Sequence, residues 1–103
     1  MLNVIVKGGR VIDGTGRPAF DADIAVKDGR IAEIGTVEGE AEATLDADGL
    51  IVTPGFIDLH THSDFTLAAN GRAESQVHQG VTTEVVGQCG VSCAPARRAT
   101  TSR

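Results

Sequence analysis

The sequence predicts a small β-domain followed by the beginning of an α/β domain. Short runs of β-branched residues, separated by Gly-containing turns, predict the first part. After Pro54 the pattern changes. An apolar run, a short helical segment and a second β-rich run follow one another within about 30 residues, which is the order of a βαβ unit. Such a unit implies a parallel sheet with a right-handed connection.

Three pairs of β-rich runs, each around a Gly-containing turn, predict three hairpins. The pairs are residues 2–6 with 11–12, Asp23–Val26 with Arg30–Ile34, and Ala43–Asp46 with Leu50–Val52. The second pair has the strongest signal, because Asp28-Gly29 between alternating strands is typical of a tight hairpin turn. Residues 1–53 are therefore expected to form short antiparallel strands, either as a small sheet or as half of a sandwich.

The second predicted domain spans residues 54–93. Residues 56–62 are expected to form a buried strand, residues 72–79 a short helix that ends at Gly80, and residues 81–86 a second strand. Residues 94–103 show no periodicity and are predicted to be an unpatterned tail.

The composition is that of a globular protein, since 41% of the 103 residues are hydrophobic. The net charge of −5 argues against a nucleic-acid partner. There is no apolar run near the roughly 20 residues that cross a bilayer, and no signal-peptide pattern, so neither a membrane partner nor secretion is expected. The two cysteines are not a disulfide framework. A cytoplasmic location is the expectation.

Two histidines, His60 and His62, end the first strand of the predicted βαβ unit. In a strand this spacing places both imidazoles on one face. Two imidazoles at the carboxyl end of a parallel strand are half of a transition-metal site. A bare His-x-His motif is a weak signal by itself, and surface or hydrogen-bonded core histidines are the alternative. Asp64 fits two roles equally well: it orients a ligand, or it caps the next segment.

Cys89 follows the second strand, at the same expected edge of the sheet as the histidines. It is flanked by a glycine, which permits close backbone approach. A thiolate is a strong zinc ligand, although a cysteine is more often a small apolar residue. Cys93 is interpreted as structural, and His78 as a solvated or hydrogen-bonded histidine of the short helix.

Two segments resemble a known family. Pro54–His62 resembles the first-strand signature of the amidohydrolase superfamily, metal-dependent hydrolases built on a (β/α)8 barrel. Gly80–Gly90 and Ser92–Pro95 are similar to the N-acyl-D-amino-acid deacylase (D-aminoacylase) branch. The resemblance implies a β + α/β fold: the N-terminal strands of a small β-sandwich, followed by the first βαβ unit of an incomplete metal-dependent (β/α)8 TIM barrel.

The same resemblance implies a zinc site and a reaction. It makes His60, His62 and Cys89 the metal ligands, and only Gln88, where the branch usually has Asn, departs from the pattern. The implied reaction is hydrolysis of the amide bond of an N-acyl-D-amino acid, a small-molecule substrate. The general base is expected beyond Arg103, so no catalytic residue is assigned and the 103-residue chain is expected to be an N-terminal part that is inactive alone.

Two alternatives remain open. The chain is either a non-catalytic β-rich remnant with a vestigial metal motif, or part of a cyclic-amide hydrolase of the dihydroorotase-like branch. Cys89 disfavours the second, because those enzymes have no comparable need for a thiolate at this place.

Overall fold

A computed structural model describes residues 1–93 of the chain. The chain divides into two units, Met1–Pro54 and Gly55–Arg103. The predicted tail of residues 94–103 lies outside the described residues. No helix among residues 1–93 is long and apolar enough to cross a bilayer.

The first unit is a five-stranded sheet. Its strands are β1 (Leu2–Val11), β2 (Phe20–Lys27), β3 (Arg30–Gly35), β4 (Ala41–Asp46) and β5 (Ile51–Val52). The order across the sheet is β3-β2-β1-β4, and β5 pairs with the end of β1 beyond β4. Strand β2 is antiparallel to β1 and β3, whereas β4 and β5 run parallel to β1.

One of the three predicted hairpins is confirmed. Strands β2 and β3 pair antiparallel, with Lys27 opposite Arg30. The two turn residues between them, Asp28 and Gly29, have φ of 51° and 72°, the left-handed backbone that a tight hairpin turn of this type requires.

The other two predicted hairpins are wrong, and with them the expectation of a wholly antiparallel sheet. Strand β1 runs through Gly8 and Gly9 without turning, and Lys7 and Gly8 form a bulge where the register with β2 shifts between Val6 and Gly9. Strands β4 and β5 do not pair with each other, because both use the same edge of β1 as their partner. Gly-containing breaks thus mark a bulge and a connection rather than hairpin turns.

The core of the first unit is small and aliphatic. Ile5, Ala25 and Val37 are fully buried in one cluster, and Leu2 and Ala41 pack against it. The core is therefore formed by side chains of β1, of β2 and of the segment that leads into β4, and these side chains pack together at the centre of the sheet.

The second unit is built around two parallel strands, β6 (Phe56–Asp58) and β7 (Val81–Glu84), with the helix α1 (Glu74–Val77) between them in sequence. Short 3₁₀ helices at Ser63–Phe65 and Gln88–Gly90 follow the two strands. The predicted strand–helix–strand order with parallel pairing is confirmed, although each element is shorter than predicted.

The prediction of a buried strand over residues 56–62 is wrong in two respects. Strand β6 ends at Asp58, so both histidines follow the strand rather than lie in it. Its apolar side chains are exposed, with Phe56 at 55% and Ile57 at 60%. A strand of a parallel sheet is buried only when layers cover both faces, and the described residues supply no such layers.

Candidate metal centre

Strands β6 and β7 bring the two ligand-bearing loops together at one end of the parallel pair. The main-chain pairing continues past the strands, since Val85 donates to the Asp58 carbonyl at 2.8 Å and Thr61 donates to the Val85 carbonyl at 3.3 Å. The loop after β6 holds His60 and His62, and the loop after β7 holds Cys89. The carboxyl ends of parallel strands share one edge, so these side chains meet there.

Three potential metal-ligating atoms converge at this edge. The Nε2 atom of His60 lies 3.0 Å from the Sγ atom of Cys89. The rings of His60 and His62 pack edge to face, with centroids 5.6 Å apart. One ligand atom from each of the three residues lies within 4.8 Å of the other two, and all three residues are exposed. Such a group of two imidazoles and one thiol is able to hold a metal ion while leaving one side open.

Local backbone geometry presents these side chains. The Asp58 carboxylate accepts a hydrogen bond at 3.0 Å from the backbone N–H of His60, which turns the chain as it leaves β6. Cys89 has φ 57° and ψ 21°, the left-handed region that side chains other than glycine rarely adopt. A strained backbone of this kind typically costs about 1–3 kcal/mol, and it is found most often at functional sites.

Two carboxylates beside the three donors make contacts that the sequence analysis did not identify. The buried Ser63 donates its hydroxyl to Oε2 of Glu84 at 2.7 Å. Oδ2 of Asp64 accepts the backbone N–H of Cys93 at 3.0 Å. The only sequence signal for Glu84 was a charged residue at the end of a β-rich run. Ser63 gave no signal, because its burial depends on a contact 21 residues away.

The remaining candidates contribute no atom to the group of three donors. Asp64 lies within the short helix Ser63–Phe65, which has no side-chain cap, so its predicted role as the cap of the next segment is wrong; its carboxylate accepts the N–H of Cys93 instead. Cys93 is a free, exposed cysteine. Local desolvation of its thiol and the nearby charge of Asp64 raise the pKa of Cys93, which keeps it protonated at neutral pH. His78 is exposed at the end of α1.

The chain is similar to known proteins over most of its length. The model of the amidohydrolase family matches residues 43–101. N-acyl-D-glutamate deacylase of Alcaligenes xylosoxydans xylosoxydans is 46% identical over 96 residues, which are 92% of this chain and 20% of that protein. D-aminoacylase of the same organism is 45% identical over 94 residues, 90% of this chain and 19% of that protein. The chain thus spans about a fifth of the length of these curated relatives.

A solved structure is similar over the same span. N-acyl-D-glutamate deacylase of Bordetella bronchiseptica, complexed with zinc and a phosphonate mimic of the tetrahedral intermediate, superposes with a TM-score of 0.88. It is 49% identical, and the alignment covers 92% of this chain and 20% of that one.

An Escherichia coli allantoinase matches a shorter part of the chain. It is 50% identical over 60 residues, which are 58% of this chain and 13% of that protein. The deacylases therefore match the chain over a greater length than this allantoinase, and they confirm the resemblance to the N-acyl-D-amino-acid deacylase branch. On the match of residues 43–101 to the family model, the chain belongs to the amidohydrolase family.

Proposed function

We propose that this chain supplies the first metal-binding segment of a zinc-dependent hydrolase that cleaves the amide bond of N-acyl-D-amino acids. The observation that supports the proposal is the convergence of His60, His62 and Cys89 within 4.8 Å at the carboxyl end of a parallel strand pair. The likeness to N-acyl-D-amino-acid deacylases over about nine-tenths of the chain supplies the substrate class.

The donor set fits zinc. Imidazole nitrogen and thiolate sulfur are ordinary zinc ligands, and catalytic zinc sites hold the ion with a few protein ligands and one open position. His60 and His62 bind in the neutral form and Cys89 as the thiolate, so zinc binding is expected to release protons and to weaken as the pH falls. Because all three donors are exposed, a metal ion that they hold is accessible to a substrate carbonyl.

Zinc, when bound here, supplies Lewis-acid polarisation of the amide carbonyl and activation of water near neutral pH. The carboxylates next to the histidines each accept a backbone hydrogen bond within this unit, which gives them a structural role. Asp58 accepts the N–H of His60, and Asp64 accepts the N–H of Cys93. Because the chain spans about a fifth of the relatives' length, we place the general base, the further ligands and the strands that complete a (β/α)8 barrel outside the 103 residues.

The zinc site is tested by metal binding to the chain and to paired variants. We expect His60→Ala and Cys89→Ser each to lower zinc affinity by at least about tenfold, because each removes one of three ligands. His78→Ala is the matched control, since this residue is exposed and outside the donor group. Equilibrium dialysis with metal analysis measures the affinity. Equal zinc binding by His60→Ala and His78→Ala would refute the site.

The activity is tested with a chimera. We expect the 103-residue chain alone, loaded with zinc, to release no D-amino acid above a His60→Ala control. A D-aminoacylase in which residues 1–93 of this chain replace the matching segment should hydrolyse N-acyl-D-amino acids. Turnover by the isolated chain would contradict the first expectation. A folded, zinc-loaded chimera without activity would contradict the second and favour the non-catalytic alternative.

The allantoinase match supports a second candidate, a cyclic-amide hydrolase. The same chimera separates the two, because one candidate predicts release of a free D-amino acid and the other predicts opening of a cyclic amide. We favour the deacylase, since its match extends over 92% of the chain and Cys89 supplies a thiolate at the donor group.

A further inference from the structure

We infer that Glu84 and Ser63 form a positioning pair for the metal site, an inference that rests on the proposed function. Neither residue contributes an atom to the group of three donors. Ser63 directly follows His62, and Glu84 is the last residue of β7, five residues before Cys89. Their hydrogen bond therefore joins the loop that holds the histidines to the strand that leads to the cysteine.

The strength of this bond follows from its length and its burial. The distance of 2.7 Å between the Ser63 hydroxyl and Oε2 of Glu84 is typical of a hydrogen bond to a carboxylate. Ser63 is only 4% exposed, so water does not readily replace its partner. The other carboxylate oxygen of Glu84, Oε1, is buried and has no hydrogen-bond partner among the described residues. Removal of the Ser63 hydroxyl would thus take away the hydrogen bond to Oε2, beside an Oε1 that already has none among the described residues. Loss of a hydrogen-bond partner is costly for a buried polar group.

The register of the loop depends on the same contact. Thr61 lies between the two histidines and donates one long backbone hydrogen bond of 3.3 Å to Val85, the residue that follows β7. The Thr61 hydroxyl also accepts the N–H of Ser63 at 3.3 Å. Both of these bonds are weaker than the Ser63–Glu84 contact, because hydrogen bonds lose strength beyond about 3.2 Å. The short bond to Glu84 is therefore the stronger of the contacts that hold the segment between Thr61 and Ser63 to the β7 side of the site.

A second contact ties the loop after β6 to the chain beyond Cys89. Asp64, next in sequence to Ser63, accepts the N–H of Cys93 at 3.0 Å, and its carbonyl lies 3.6 Å from the Cys93 thiol. The loop after β6 is thus fixed to β7 before Cys89 and to the chain after Cys89. A metal ion gains from such pre-arrangement, since the ligands need not be ordered when the ion binds.

The experiment compares zinc affinity and thermal unfolding in the full chain and its variants. We expect Ser63→Ala and Glu84→Ala each to weaken zinc binding by about tenfold, the lower end of the range for residues that orient metal ligands. The double variant should lose no more than either single variant, because both remove the same contact. Glu84→Gln keeps an acceptor oxygen for Ser63 and should restore affinity to within about threefold of the wild type.

A stability control separates positioning from folding. Gly80→Ala strains a backbone with φ 80° in the same unit but touches none of the donors. It should lower the unfolding temperature, because it reduces the fraction of chains that are folded. The zinc affinity of the folded chain should stay within about twofold of the wild type, because the donors are unchanged. If Glu84→Ala fails to fold, Ser63→Ala against Glu84→Gln decides the matter. Equal affinities of these two variants, additive losses in the double variant, or a tenfold loss in Gly80→Ala would overturn the positioning role.

The wild-type chain distinguishes this inference from the proposed function beneath it. Absence of zinc binding by the wild type would overturn the metal site and the positioning pair together. Zinc binding by the wild type that Ser63→Ala leaves unchanged would overturn the positioning pair alone.

Discussion

Asp23 connects the bulge of β1 to the loop before β4 through three hydrogen bonds. Its carboxylate accepts the backbone N–H of Gly8 at 2.8 Å, the N–H of Val37 at 3.1 Å and the Lys7 ammonium at 3.0 Å. The bulge leaves Gly8 without a partner in the ladder with β2, so Asp23 supplies the acceptor that the ladder lacks. These donors, with the backbone of Gly8 contributing most, lower the pKa of Asp23 to about 2.

This low pKa predicts how acid affects the first unit. Because the pKa in the folded state is about 2 and the ordinary value is 3.8, Asp23 stabilises the fold above pH 3.8, and this contribution is lost as the pH falls towards 2. Chemical unfolding at a series of pH values measures the effect. Asp23→Asn should flatten the fall in unfolding free energy below pH 3.8, whereas Asp21→Asn, at a side chain 80% exposed, should not. Identical acid profiles for the two variants would contradict this role.

Single residues differ in how well the sequence predicts them. The sequence placed His60, His62 and Cys89 after two β-rich runs, and the family resemblance implied that they form one ligand set; the structure places their ligand atoms together. Ser63 and Glu84 were missed. A serine and a glutamate are common surface residues, and only the folded contact between them makes them distinctive.

At the scale of elements, strand β1 requires glycine at position 9, directly after its bulge, for packing. A Cβ atom on Gly9 would collide with Cγ2 of Val52 and lie 3.2 Å from Cβ of Ala47. Strand β5, which holds Val52, pairs with β1 at this point. Gly9 therefore allows the short strand β5 and the turn before it to lie close against β1.

This close approach predicts a cost for the smallest side chain. Gly9→Ala should lower the free energy of unfolding by about 1–3 kcal/mol, the usual effect of overpacking. Gly71→Ala is the control, because a Cβ there would meet nothing closer than 3.7 Å. Denaturant unfolding followed by circular dichroism measures both variants. A loss in Gly71→Ala as large as that in Gly9→Ala would show that packing at β5 is not the cause.

The element predictions succeeded where a local signal decided the structure. Asp28-Gly29 fixes the β2–β3 turn by its own backbone preference, and the structure has that turn. Gly8-Gly9 suits a turn and a bulge equally well, and the choice depends on β2, β4 and β5 pairing along the whole of β1. Period-two patterns identify strands but not their partners, so the parallel pairing of β1 with β4 was not predictable from residues 1–53 alone.

At the scale of the whole molecule, the proposed site belongs entirely to the second unit, Gly55–Arg103. Zinc should therefore stabilise this unit in preference to the first, because a ligand stabilises the structure that binds it. Hydrogen exchange is expected to slow at the backbone amides around His60 and Cys89 when zinc is added, with little change in β1. Uniform slowing in both units, or slowing that persists in His60→Ala, would contradict this expectation.

The exposed strand β6 shows a limit of prediction at the same scale. Phe56, Ile57 and Leu59 form an apolar run that suggests burial, yet they are 55–69% exposed. The run is suited to a strand covered on both faces, and the covering layers are not encoded in the run itself. The local sequence of β6 does not specify what covers it, whereas the strand–helix–strand order did predict its parallel pairing with β7.

The chain order of the first sheet has a consequence for biosynthesis. All five of its strands, including the parallel partners of β1, lie before Pro54, and the histidine and cysteine loops come later in the chain. Translation proceeds at about 5–20 residues per second, and domains tend to fold in the order in which they emerge from the ribosome. We expect the sheet to complete its hydrogen bonds before the ligand loops have left the ribosome, so that metal uptake is the later event of maturation.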